Sequence, residues 1–449
     1  MTTTASRPIT PNRDFVLLRA YRGIFWDRVK LLKRTASWHP YISSATLGKN
    51  ELIFINHPEY IHEVLLEQAD KFHKSPEFKF FVRPLLGNGL LLSEDQEHKR
   101  NRKLVAPAFV HRRIREYANV MTDYTGRIIS EWKDGDVIDI SREMTRITLA
   151  ITGKTLFGSE VGADADDVKQ RLIYLNHYAD EQLRIPIHIP LSWRTPRNNR
   201  VRKAIAGLDA IIYGMIAERR EAKSDFGDLL SMLLLARDDE DGTGMTDKQV
   251  RDEAMTIFLA GHETTSNGMS WMWYLLAKHP DVFTKLRNEV AVLEGRMPTL
   301  DDLPRLPYTL QVFKEALRLY PPAYILTRTP TEDVFIDGYK LKKGAIIMIS
   351  PYILHRNAEY FPDPERFDPD RFSPEKEKLI PRHAYLPFGA GPRVCIGNQF
   401  AMIEAHLVTA AIAQQFSFEL LDSNEVAMDP LITLRPKGGI HVRLNENKG

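Results

Sequence analysis

Cys395 is the only cysteine among 449 residues. One thiol cannot close an internal disulfide, so no disulfide framework holds the fold. A zinc site or an iron–sulfur cluster built on several cysteines is excluded for the same reason. A surplus of one charge is missing too: 61 Lys and Arg face 59 Asp and Glu, which argues against nucleic acid as a partner. Long apolar runs are absent, and nothing approaches the roughly 18 residues of a membrane helix. The longest candidate, Ala345 to Ile349, stops at Ser350-Pro351 and reads as a strand. The start, MTTTASRPITPNRDFVLLRAYRGIF, lacks the apolar core of a signal peptide. These absences lead us to expect a soluble, cytoplasmic protein with no membrane anchor. Repeats and low-complexity linkers are also lacking, so one unit over 1–449 is expected behind a polar tail of about residues 1–13.

What is present is ample core material, 43% hydrophobic residues, arranged mostly with helical spacing. A strand pair is expected at Tyr41–Leu47 and Glu51–Asn56, turning at Gly48-Lys49-Asn50. Its mates are expected far downstream, in 334–336, 339–341 and 346–350, where Asp337-Gly338 signals a hairpin. Thr195 to Arg200 reads as a surface loop between helices, and Asp238 to Gly244 as a second loop. Thr246-Asp-Lys-Gln249 has the form of a capping box and opens a helix running to about Lys278. Strands at both ends of a helical interior point to one α-rich unit with small β-sheets.

The segment Phe388-Gly-Ala-Gly-Pro-Arg-Val-Cys-Ile-Gly397 is the strongest signal. Three glycines and a proline in ten residues exclude helix and permit a tight, open turn. Asn398 to Gln414 then shows helical spacing, with Phe400, Ile403 and Leu407 on one face. Cys395 therefore precedes a helix N-terminus, where the macrodipole and free N–H groups favour thiolate. Such a thiolate suits haem iron, toward which it pushes the electron density that helps cleave an O–O bond. A lone cysteine is more commonly a small buried hydrophobe, but the flanking glycines and Arg393 argue otherwise. The pattern Phe-x-x-Gly-x-x-x-Cys-x-Gly is similar to the haem-binding loop of the cytochrome P450 superfamily, with Phe388, Gly389 and Gly397 as cofactor contacts and Cys395 as the iron ligand.

A second signal breaks the apolar centre of the long helix: Ala260-Gly-His-Glu-Thr-Thr265. Glycine inside a helix costs about 1 kcal/mol relative to alanine, and a buried carboxylate costs more unless paired. In a functional reading, Ala260 and Gly261 let a planar cofactor and dioxygen approach, Thr264 hydrogen-bonds the oxygen and Glu263 relays protons. The plainer reading is a kinked core helix with a satisfied polar cluster. The six residues resemble the acid–alcohol motif of the superfamily's monooxygenases. His262 is expected to be a solvent-side or water-bound neighbour.

Glu315-Ala-Leu-Arg318 taken alone is an exposed intrahelical ion pair of small worth. In context it resembles the family's Glu-x-x-Arg, whose partner is a second arginine bracing the cysteine loop. Arg371 has the right spacing to that loop, and Arg366 is assigned as a loop charge. The resemblance further implies haem b (iron protoporphyrin IX), with Arg393, Arg328, His98 and Arg102 toward its propionates. His98 stands where the family usually has Trp.

The resemblance places the pocket walls at Phe78–Leu92, the helix centre, Ala323–Thr327 and Leu431–Leu434, with Leu91, Ala260, Ala323, Ile325, Leu326, Leu431 and Ile432 as candidates. Ordinary core packing is as good a reading for any one of them. Their apolar character implies a lipophilic substrate, a fatty acid first and a terpenoid second. With no flavin segment in view, electrons are expected from a separate ferredoxin or flavodoxin with its reductase, docking on Lys99, Arg100, Lys103, Arg112 and Arg113. The implied fold is mainly α with small β-sheets (α+β), haem lying between the long central helix and the cysteine-loop helix. The implied reaction inserts one oxygen atom of O2 into a C–H bond. A peroxide-driven peroxygenase of the same fold, or a haem sensor or carrier without turnover, are the alternatives. Glu263 and Thr264 speak against the peroxygenase.

Overall fold

The computed structural model describes residues 7–9, 28–38, 41–47, 50–158, 190–222, 226–422 and 424–447, with isolated positions between 170 and 182. Most of the expected N-terminal tail, and Gly48 and Lys49 of the expected turn, lie outside them. The chain forms two compact units that alternate along the sequence. One comprises Met1–Phe80, Lys314–Cys395 and Asp429–Arg435; the other Phe81–Phe313, Ile396–Met428 and Pro436–Gly449.

The first unit is built on a five-stranded mixed sheet in the order Ile42–Leu47, Asn50–Ile55, Ile346–Ile349, Leu326–Pro330, Phe72–His73. The outer pair is antiparallel with Ile42 opposite Ile55, and the next pair parallel with Leu52 opposite Ile346. Isoleucines carry it: Ile53, Ile55, Ile347 and Ile349 are fully buried with Ile61 and Val64, as expected of β-branched residues in a covered sheet. Val334–Ile336 and Tyr339–Leu341 form a separate two-stranded sheet, with a single bridge from Arg7 to Tyr339, and among the described residues do not join the larger sheet as expected. Asp337 and Gly338 both take left-handed φ, +42° and +79°, the turn geometry that closes a two-residue hairpin on itself.

The second unit is helical. Its centre is Asp247–Lys278, opened by the Thr246/Gln249 capping box and buried almost continuously from Val250 to Leu276. Ile140–Phe157 packs against it, starting at Asp139, whose carboxylate accepts from Ser141 N at 3.0 Å, and stopping at Gly158 with φ +69°. Asn398–Gln415 lies on His111–Ile129, with the Tyr117 and Phe400 rings 5.8 Å apart. A three-stranded sheet, Val137–Asp139, His441–Glu446 and Phe416–Leu420, completes the unit. The expected loop at Thr195–Arg200 is instead the first turns of a helix, Pro196–Ala222. Thr195 Oγ1 accepts from Asn198 N at 3.1 Å and Pro196 occupies the first helical position, so the polar run is a cap. Among the described residues no helix is long and apolar enough to cross a membrane.

Candidate active site

Cys395 sits at the end of a loop that closes on itself: its N–H donates to the Phe388 carbonyl at 3.0 Å, and Val394 N–H to the Gly391 carbonyl at 3.0 Å. One 3₁₀ turn, Gly391–Arg393, interrupts what the sequence suggested was wholly non-helical. Gly391 has φ +71°, and a Cβ there would overlap the Leu65 carbonyl of Glu63–Glu67. No other residue type fits that approach. The Cys395 thiol is exposed, and three residues on the helix Asn398–Gln415 begins. A Cβ on Gly389 would meet Leu326 at 3.9 Å, an ordinary contact.

Glu315 and Arg318 are fully buried, not on an outer face. Arg318 Nε and Nη2 donate to the two Glu315 oxygens at 2.7 and 2.8 Å, a bidentate pair. The remaining Arg318 donors reach the His355, Pro364 and Arg366 carbonyls at 2.8, 2.7 and 3.0 Å. Glu315 also accepts from Asp368 N at 2.9 Å, and Arg371 Nε stands 3.5 Å away. Arg366 offers only its backbone carbonyl. Burial pushes the Glu315 carboxyl above its ordinary value, against the pull of Arg318. His355 is a member that sequence reasoning missed: buried, it accepts from Leu386 N just before the cysteine loop.

Arg328 and Arg393 share their surroundings with Lys74, also missed. Burial first, then the charges of Arg328 and Arg393, hold the Lys74 ammonium well below its usual value. Burial lowers Arg328 and Arg393 to about 10. Arg328 Nη1 donates to the Thr327 carbonyl at 2.8 Å, and no carboxylate pairs with it among the described residues. Nearby, Leu434 N donates to Pro322 O and Tyr324 OH to Leu431 O, both at 2.9 Å. Those bonds set the turn carrying Ala323, Ile325 and Leu326 beside Leu431 and Ile432.

In the second unit, Thr264 Oγ1 donates to the Ala260 carbonyl at 2.7 Å and Thr265 Oγ1 to the Gly261 carbonyl at 3.1 Å. A Cβ on Gly261 would meet Thr152 at 3.5 Å, an ordinary contact, so packing within this unit does not demand glycine. His262 is not solvent-side. It is buried, with Nδ1 2.8 Å from the Phe258 carbonyl, because its ring turns back along the helix. Glu404, which sequence reasoning passed over, is fully buried, and burial pushes its carboxyl well above the usual range while the Thr265 hydroxyl opposes this. His98 is buried and Arg102 half-buried on Asp95–Val105, and Leu91 is half-buried between the buried Leu90 and Leu92.

The expected docking face is partly occupied by the protein itself. Arg100 lies 3.3 Å from Asp238, and Lys103 lies 3.4 and 3.3 Å from Asp238 and Asp239. The loop read as a mere connector folds its acids onto these bases. Arg113 pairs with Glu116 at 2.9 Å, whereas Lys99 and Arg112 are exposed.

Residues 18–443 match the family model for cytochrome P450. The chain belongs to the cytochrome P450 family. It is 38% identical over 399 residues to cyclooctatin synthase of Streptomyces melanosporofaciens, covering 88% of this chain and 87% of that one. It is 36% identical over 403 residues to cyclooctat-9-en-7-ol 5-monooxygenase of the same organism, covering 89% and 87%. The crystal structure of the cytochrome P450DA haem domain superposes with a TM-score of 0.90 at 26% identity, covering 99% of this chain and 98% of that one. This P450 is thus an oxidoreductase of the monooxygenase class, mainly helical with small sheets, in a haem-thiolate family.

The first unit of the P450 fits such a cofactor. It presents an exposed thiol on a braced loop, and it gathers three cations whose charges oppose one another in a desolvated setting. Like charges held close together, here with Arg328 buried and Lys74 and Arg393 half-buried, are relieved by an anion, and haem bears two carboxylates.

Proposed function

We propose that this P450 inserts one atom of dioxygen into a C–H bond of a lipophilic, terpenoid-like molecule, using haem b ligated by Cys395 and electrons from a separate ferredoxin or flavodoxin. The observation that carries the reading is the exposed Cys395 thiol at the end of a loop tied to Phe388 and admitted past Leu65 only by Gly391. Haem bound there supplies the iron at which dioxygen is activated.

The chain's own residues do the rest. Arg328, Arg393 and Lys74 are the first unit's candidates for holding the propionates, and His98 and Arg102 the second unit's. Phe388 and Gly389 line the thiolate side within the first unit, and Gly397 follows the cysteine by two residues. The Thr264 proton is engaged by the Ala260 carbonyl, which leaves the Oγ1 lone pairs to accept a hydrogen bond, while the Glu263 carboxyl relays protons from solvent. The candidates for excluding water and orienting substrate are the apolar side chains of Ala323, Ile325, Leu326, Leu431 and Ile432 in the first unit, and of Leu91 and Ala260 in the second. Lys99 and Arg112 give an acidic donor exposed cations to meet.

A terpenoid-like substrate takes precedence over a fatty acid because relatives at 38% and 36% identity are named for cyclooctatin and cyclooctat-9-en-7-ol. The test is turnover with ferredoxin, its reductase and heavy-oxygen-labelled dioxygen, on a panel of cyclic terpenes and straight-chain acids. One labelled oxygen in a terpene product is expected. Hydroxylation of the acids alone would overturn the substrate, and product without label would overturn the reaction.

A further inference from the structure

Two adjacent carboxylates, Asp252 and Glu253, lie in the buried stretch of the central helix, 4% and 0% exposed. Burying carboxylates is costly unless they bind something. Each of them binds backbone. Asp252 accepts from Asn88 N and Glu253 from Leu90 N, both at 2.9 Å. The preceding residue, Arg251, donates to the Leu85 carbonyl at 2.9 Å. Consecutive helical residues point about 100° apart, so three in a row gripping one segment means that the segment wraps around this part of the helix.

The glycines of that segment have the same cause. Gly87 has φ +63°, and a Cβ on it would overlap the Asp252 carboxylate. A Cβ on Gly89 would overlap Thr256 Oγ1 and lie 2.6 Å from the Asp252 carbonyl. Thr256 is one turn before Ala260. Arg251 also holds Asp209 of Pro196–Ala222, Nε to Oδ1 2.7 Å, so a second helix is fastened at the same point. Asp252 is offset by Lys248 at 2.9 Å and Arg251 at 3.0 Å. Glu253 Oε1 has no hydrogen-bond partner among the described residues. Burial first, with Asp252 and Glu97 adding to it, raises the Glu253 carboxyl to about 7, while the Leu90 N–H opposes this.

We propose that Arg251, Asp252 and Glu253 are positioning residues for substrate specificity: they fix Leu85–Leu92 on the central helix beside Ala260, and so set where Leu90, Leu91 and Leu92 stand. The inference rests on the proposed function in that this segment borders substrate. Glu253 makes the most consequential contact, because without it the buried Leu90 N–H has no acceptor. Gln at 253 retains a carbonyl acceptor of the same reach, whereas Ala retains none.

The test uses haem-loaded protein, amide hydrogen exchange over residues 85–92, and optical titration with imidazole and 4-phenylimidazole. Glu253→Ala is expected to speed exchange in that segment about tenfold and to change the affinity ratio of the two azoles about fivefold. The carbon-monoxide band should keep its position, and Glu253→Gln should behave as wild type. Gly89→Ala, which pushes the segment off Thr256 without touching Glu253, should shift the azole ratio as well. Unchanged exchange in Glu253→Ala overturns the inference, as does faster exchange with an unchanged ratio. If Glu253→Ala does not fold, an unchanged ratio in Gly89→Ala overturns it. Wild-type protein that gives no optical response to imidazole would contradict the haem assignment itself, a separate outcome.

Discussion

His355 Nε2 accepts the Leu386 backbone N–H at 2.8 Å. Its other nitrogen, Nδ1, lies 3.3 Å from the Arg318 carbonyl and donates there. One neutral imidazole therefore joins the Glu315–Arg318 pair to the segment leading into the cysteine loop. A protonated ring has no acceptor to offer Leu386.

Burial, with the Arg318 charge, lowers His355 to about 3. An unfolded histidine titrates near 6.5. Between these values the unfolded chain binds a proton that the native state refuses, so stability falls as pH drops below about 6.5. The slope from one such group is about 1.4 kcal/mol per pH unit. In urea unfolding at about pH 7, 6 and 5, His355→Gln should show a shallower acid dependence than wild type by roughly that amount. Parallel curves would contradict a neutral His355.

Arg318→Ala strands Glu315, a fully buried carboxylate, with Asp368 N and a distant Arg371. Breaking one side of a buried pair costs about 3–5 kcal/mol. Arg371→Ala, removing a contact of 3.5 Å at the rim, should cost less than half as much. Equal losses in denaturant midpoints would show that Arg371 carries more of the brace than its geometry implies.

The charges of Arg328 and Arg393 act against the Lys74 ammonium. Lys74→Met should leave haem-free protein as stable as wild type or more so, yet speed haem loss to an acceptor globin about tenfold. Faster loss confined to active-site variants elsewhere, with Lys74→Met unaffected, would remove Lys74 from the cofactor's anion site.

Thr264→Ala and Glu263→Gln should each lower product formation by about a hundredfold or more, with the carbon-monoxide band unmoved. Oxygen consumption should fall less, the remainder appearing as peroxide. Coupled turnover at wild-type yield would assign the proton path to other groups, with Glu404 and Thr265 the next to examine.

Where chemistry and local backbone rule coincide, the primary structure is readable. The turn at Cys395 with its glycines and the Thr246/Gln249 cap are of that kind, because turn and cap are short-range, whereas for Glu315–Arg318 helix spacing shows the pairing but not the burial. Long-range placements were not. Nothing in Val334–Leu341 says whether that hairpin joins a neighbouring sheet, since both outcomes satisfy alternation. His262 looked exposed because a polar residue in a polar hexapeptide does, but its ring bonds to Phe258 and stays inside. The basic run at 99–113 looked available because its partners, Asp238 and Asp239, lie more than a hundred residues on. Lys74 and His355 carry no local motif at all. Thr195-Pro196 was readable, and the signal was a cap followed by proline.

The account depends on sulfur from Cys395 reaching iron. Reduced, haem-loaded protein under carbon monoxide should show the far red-shifted Soret band of a thiolate ligand, and Cys395→Ser should lose it while keeping its fold. A band at the position typical of nitrogen-ligated haem in the wild type, or an unchanged band in Cys395→Ser, would contradict it.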